Sequence, residues 1–374
     1  MSASTRGRFN WTIIAPPAAL VLLVATWGRD LPMPVVVLVG IALAASVLAA
    51  VHHAEVVAHK VGEPFGSLVL AVAVTVIEVA LIVTLMISGG SDTSTLARDT
   101  VFAAVMITLN GIVGLALVIG ALRHHLARFN PEGTGSALAT VIALAGVTMV
   151  LPRFTEAEAG PEFSGGQLAF AAVASLVLYG MFVFTQTVRH RDFFLPVAVS
   201  FDGKPAVDGP LDEDGDGHAD PPSSTEAWLS LAMLVVALVG VVGLAKVASP
   251  SIEDAIASFG FPHSFVGVVI ALLVLLPESI AAARAAARNR AQISLNLAYG
   301  SAMASIGLTI PTIAIASIWL DGPLDLGLEP TQMVLLAITV AVSLLTVVPG
   351  RAKPVNGGVH LVLLASYLFL AANP

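Results

Sequence analysis

The 374-residue chain contains no cysteine, which excludes disulfides, thiolate catalysis and Cys-ligated zinc. Charge is scarce as well: charged residues make up 11% of the chain, against about 25% in soluble domains. Hydrophobic residues reach 57%, so the main solvent of this fold is a bilayer rather than water. Basic clusters of the kind that bind nucleic acid are missing. So are the marks of a polytopic enzyme acting on a lipid substrate: there is no His-Glu-x-x-His pair, no paired nucleophile and base, and no aspartate-rich diphosphate motif. Much of the net charge of −8 comes from one loop, since five acids and no Lys or Arg fall between Asp212 and Asp220. No small-x-small cleavage site follows Arg6 and Arg8, so the first apolar run reads as a helix and not as a signal peptide.

What is present is a series of apolar runs, each about 18 residues or longer and so able to cross a hydrocarbon core of about 30 Å as a helix. They cover roughly 10–28, 32–57, 65–88, 99–121, 134–152, 166–187, 227–248, 262–284, 291–318, 331–348 and 356–372. The fold class is therefore an all-α polytopic membrane protein of about eleven transmembrane helices. With the N-terminus in the cytoplasm, the inner side receives Arg6, Arg8, Lys60, Arg123, Arg128, Arg189, Arg191, Lys204, Arg284, Arg288, Arg290, Arg351 and Lys353. The outer side keeps only Arg29, Arg98, Arg153 and Lys246, the asymmetry that the positive-inside rule expects. The expectation is a multi-pass protein of the cell (inner) membrane, N-terminus cytoplasmic and C-terminus outside, in contact with lipid.

The longest break, 188–226, is rich in Pro, Gly and acids and divides the chain. Residues 1–31 hold an extra first helix, 32–187 a five-helix half, 188–226 a cytoplasmic acidic linker, and 227–374 a second five-helix half. Glu55 is followed by Gly62, Pro64 and the span carrying Glu78; Glu253 is followed by Gly260, Pro262 and the span carrying Glu278. An odd number of spans per half makes the two halves enter the membrane from opposite sides, as inverted repeats do.

Glu78 and Glu278 each fall roughly 20 Å into their spans at 1.5 Å per residue, near mid-bilayer. A carboxylate there costs about 2.5 to 3.5 kcal/mol, and two at repeat-equivalent positions point to function. Two neighbouring carboxylates resist joint ionisation, and a cation between them relieves the conflict, so protons and cations compete for one site. Oxygen ligands favour calcium, sodium or potassium over zinc or copper. Thr75 shares the face of Glu78; Thr108 and Asn110 come from the fourth span, and Asn296, Ser301, Ser305 and Thr309 from the ninth. Glu55 and His59, also on one face, are candidates for a proton relay beside the glutamates. Asp212-Glu-Asp-Gly-Asp-Gly217 has the opening spacing of a calcium-binding loop, but its twelfth position is Ser223, so it reads as an acidic linker. A passive cation channel stays open as an alternative.

These residues resemble the cation/calcium exchanger superfamily, in particular its bacterial branch of calcium (sodium, potassium)/proton antiporters. The likeness is carried by Gly267 through Pro277-Glu278-Ser279, then Ser294 through Gly300-Ser301 to Ser305 and Pro311, and more loosely by Glu78 and Thr108-Leu-Asn110-Gly111. It implies two inverted five-helix repeats after one extra helix. The implied activity is secondary antiport of calcium, or sodium and potassium, against protons, with no cofactor and no enzyme activity. Glu78 and Glu278 match the central acids, while Asn110 and Ser305 match the polar position of the next helix. Members that exchange calcium for protons carry Gly-Asn before each acid; this chain has Val76-Ile77 and Leu276-Pro277, a poorer oxygen shell.

Overall fold

The computed structural model describes residues 11–62, 65–88, 94–196, 222–319 and 323–374. The backbone in lipid must satisfy its own hydrogen bonds, and the described chain does so with helices, apart from one short antiparallel pair, Ala127–Arg128 with Arg351–Ala352. The first half contains α1 (Trp11–Thr26), α2 (Met33–Val61), α3 (Phe65–Ser88), α4 (Leu96–Met106), α5 (Val113–His124), α6 (Pro131–Ala145) and α7 (Gly165–Phe184). The second contains α8 (Ser224–Ser258), α9 (Phe265–Val274), α10 (Leu276–Ala287), α11 (Ala291–Gly307), α12 (Thr309–Ala316), α13 (Pro330–Val347) and α14 (Pro354–Ala372). Between α4 and α5 runs a wide π turn, Ile107–Ile112, so the two form a single span, Leu96–His124.

Among the described residues, nine spans are long and apolar enough to cross a membrane, or ten when α9 and α10 count as one. The eleventh element, α1, is apolar but only 16 residues long. α8 runs 35 residues, well past the 227–248 expected from hydropathy, because the helix continues beyond its apolar part. Its start is set by Ser223 and Glu226, which cap each other's backbone N–H groups. The acidic loop 212–220, with Lys204, lies outside the described residues, as do Arg6 and Arg8.

Two prolines break helices of the second half. Pro277 has no N–H for the carbonyl four residues back, and the 262–284 span bends by 53° between α9 and α10 at Leu275. Pro311 removes the corresponding bond to Gly307, and α11 gives way to α12 at Leu308.

α2 packs along α8, with α1 on both; α4 packs on α9, α5 on α14, and α11 on α6 and α10. Two apolar cores result, one around α4, α5, α6, α11 and α13, the other around α1, α2, α3 and α8. Gly62 and Gly260, matched in the sequence, both take positive φ, +75° and +73°, and each precedes a helix that leads to a glutamate. Only glycine takes that backbone without steric cost.

Candidate functional site

A cavity of about 230 Å³ lies between α3, α7, the α9–α10 break and α11. Its floor carries Thr75 and Glu78 from α3, Glu278 from the first turn of α10, and Ser301 and Ser305 from α11. Its wall is Tyr179, Phe182 and Val183 on α7 and Gln186 in the π turn Thr185–Arg189 that continues it. From the glutamates it extends past Leu70, Ile293 and Asn296 toward the helix ends that carry Arg189, Arg284 and Arg288. Gly300 faces the open space, where an added Cβ would meet nothing within 4 Å.

Glu78 is 2% exposed, and its Oε2 accepts two hydroxyl hydrogen bonds, from Ser305 Oγ at 3.0 Å and Thr309 Oγ1 at 3.1 Å. These fit a charged carboxylate, since an anion gains more than a neutral acid from donors. The Oε1 atom of Glu78, Oε2 of Glu278 and Oγ1 of Thr75 are buried with no hydrogen-bond partner. Pro277 puts Glu278 at the start of a helix, where the exposed N–H groups and helix dipole favour an anion. The negative charges of Glu55 and Glu78 both act on Glu278. Among the described residues, no basic side chain lines the cavity. The site thus joins two acids and unpaired oxygens, with no fixed counter-charge.

The sodium/calcium exchanger protein family model matches residues 31–188 and 229–372. The chain belongs to that family. It is 32% identical to the sodium-potassium/proton antiporter ChaA of Escherichia coli over 96% of this chain and 94% of that protein. Two solved structures share the fold: native YfkE, with a TM-score of 0.70 at 15% identity over 97% of this chain and 99% of that one, and the H+/Ca2+ exchanger CAX, with 0.68 at 14% identity over 98% and 93%. The chain is a polytopic all-helical membrane exchanger and not an enzyme.

Among the residues that sequence reasoning put forward in this exchanger, the structure brings Glu78, Glu278, Thr75, Ser301 and Ser305 to one cavity. It does not bring Asn110 or Thr108 there. Thr108 donates to its own helix, at Ala104 O and Val105 O, as threonines in apolar helices do. Asn110 sits in the π turn, fully buried, and its amide donates to Thr339 Oγ1 at 3.0 Å while its Oδ1 faces His360 Nδ1 at 3.2 Å. It joins α13 and α14 to the fourth span and is not a cavity residue. Glu55 and His59 are exposed at the end of α2. Asn296 lines the cavity near its mouth and donates to Phe194 O at 2.6 Å. Of the histidines, His53 is buried with Nε2 at 3.0 Å from Thr12 O, tying α2 to α1.

Sequence reasoning missed the α7 wall. Tyr179, Phe182, Val183 and Gln186 recur at i, i+3, i+4 and i+7, one helical face, but so do the residues of any packed helix. It also missed His360, whose partners lie on other helices and left no local trace.

Proposed function

We propose that this exchanger moves cations against protons by alternating access, with Glu78 and Glu278 as the shared site. The carrying observation is a pair of acids in one cavity with unpaired carboxylate oxygens and no basic partner. Such a pair needs a proton or a cation in it at all times, and exchange of one for the other results. Thr75, Ser301 and Ser305 supply further oxygens, and the hydroxyls that hold Glu78 turn their lone pairs to the ion when it enters. Glu55, exposed and acting electrostatically on Glu278, passes protons to bulk water, with His59 one turn beyond.

The side of the membrane is set by charge. The cavity mouth lies among the arginine-bearing helix ends, which the positive-inside rule assigns to the cytoplasm, so the N-terminus is inside and the C-terminus outside. Sodium or potassium is the preferred cargo, with calcium competing. Each acid follows Val76-Ile77 or Leu276-Pro277 and not Gly-Asn, so it lacks an adjacent amide oxygen for calcium, and the 32% identical relative is named for sodium and potassium.

The test is proton movement in vesicles carrying the purified protein and a pH-sensitive dye, with sodium, potassium or calcium added singly. The expected result is proton flux driven by each transported cation. Absence of any cation-driven flux overturns the proposal.

A further inference from the structure

A second polar cavity, of about 310 Å³, lies at the opposite end of the bundle between α4, α9, α13 and α14. The two inverted halves run α2, α3, α4–α5, α6, α7 and α8, α9–α10, α11–α12, α13, α14. In that correspondence α4, α9 and α14 stand where α11, α3 and α7 stand in the glutamate cavity. The match extends to residues. α14 and the C-terminal end just beyond it present Tyr367, Leu370, Ala371 and Pro374 with the same spacing as Tyr179, Phe182, Val183 and Gln186.

This cavity, unlike its counterpart, holds an arginine. Arg98 Nε donates to Asp99 Oδ1 at 2.9 Å, and its Nη1 donates to Glu329 Oε1 and to Gly327 O, both at 3.3 Å. Gln332 Nε2 donates to the same Asp99 oxygen at 3.3 Å. Asp99 is 3% exposed and lines the cavity, yet its Oδ2 has no partner. Two carboxylates against one guanidinium leave a net negative charge. Beside the pocket, α4 and α9 touch backbone to backbone: a Cβ on Gly267 would lie 2.8 Å from Thr100 N and 2.9 Å from Asp99 C.

We infer that this pocket is the outer cation site of the cycle, formed by Asp99 and Glu329 and occupied in the present state by Arg98 as a tethered cation. The inference rests on the exchange reading above. Because no group of three acids or histidines that could hold a metal occurs among the described residues, this is a transit site for a hydrated inorganic cation and not a chelate. An entering cation takes the unpartnered Asp99 oxygen and weakens the hold on Arg98. Release of Arg98 also removes one of the hydrogen bonds at Gly327, in the connection between α12 and α13.

The absence of cysteine makes the test clean. Val268→Cys puts one thiol on the wall of the pocket, to be labelled by a membrane-impermeant maleimide in right-side-out vesicles. Adding Arg98→Gln raises the labelling rate by about tenfold or more, the least that losing charge-assisted hydrogen bonds gives. Sodium, potassium or calcium outside slows that labelling, and a further Asp99→Asn removes the protection while leaving labelling fast. Glu329→Gln, on an exposed residue, changes labelling in the same direction and serves if the arginine variant fails to fold. Labelling that the arginine and glutamate variants leave unchanged, or that no cation slows, overturns the site. Labelling needs no transport, so the two readings fail separately. Cation protection without proton flux sinks exchange and keeps this site, and flux without protection does the reverse.

Discussion

The two hydroxyls on Glu78 offer the sharpest quantitative prediction. Ser305 and Thr309 both donate to Oε2, at 3.0 and 3.1 Å, in a cavity where no basic side chain shares the task. A hydrogen bond to a charged group is worth about 1.5 to 3 kcal/mol. At 1.4 kcal/mol per decade, Ser305→Ala or Thr309→Ala raises the half-activating cation concentration about ten- to a hundredfold at fixed pH, because the charged glutamate that the cation needs is less well held. The pair removed together costs less than the sum, since the two share one oxygen. Thr309→Ser keeps the hydroxyl and stays near wild type. The loss also shrinks as pH rises, because fewer protons compete for the carboxylate. The assay is cation titration of dye-reported proton flux in vesicles at two pH values. If both alanine variants keep the half-activating concentration within about twofold, the hydroxyls do not hold the ionised acid and the argument fails.

Asn110→Ala leaves His360 and Thr339 without their amide partner in a buried cluster, so it lowers thermal stability by about 1 to 3 kcal/mol without changing the half-activating cation concentration. A changed cation affinity at unchanged stability would return Asn110 to the site. Glu162, in the connection before α7, is pushed above the usual carboxyl range by burial first, and then by the Asp325 and Glu158 carboxylates. A raised carboxyl is the form that ionisation destabilises, so Glu162→Gln raises the melting temperature at neutral pH, and the gain disappears in acid, where the native residue is already protonated. A gain of equal size at both pH values would refute that cause.

Much of the site was legible because charge in an apolar run is conspicuous. Glu78 and Glu278 stand out against their spans, and Thr75 is placed by helical spacing. Ser301 and Ser305, from the ninth span, share that cavity. Asn110 lies inside the π turn at Ile107–Ile112, and its amide meets Thr339 and His360 on α13 and α14, partners that helical spacing within its own span does not reveal. The acid-bearing span of the second half reads as continuous from hydropathy, although Pro277 breaks it and sets Glu278 at a helix start. Hydropathy likewise marks only the part of α8 that is apolar, and not where its helix ends. The Arg98 cluster escaped notice because its partners, Gly327 and Glu329, are more than 200 residues away in sequence and only the fold joins them.

The central claim is that one proton-or-cation site is shared by two glutamates. Its most direct test is proton flux driven by sodium, potassium or calcium in vesicles carrying Glu78→Gln or Glu278→Gln protein, with membrane insertion checked in parallel. Each variant keeps the shape of the side chain and loses both its charge and its proton, so the expected result is normal insertion and no exchange. Normal exchange by either variant would reduce that glutamate to a structural contact.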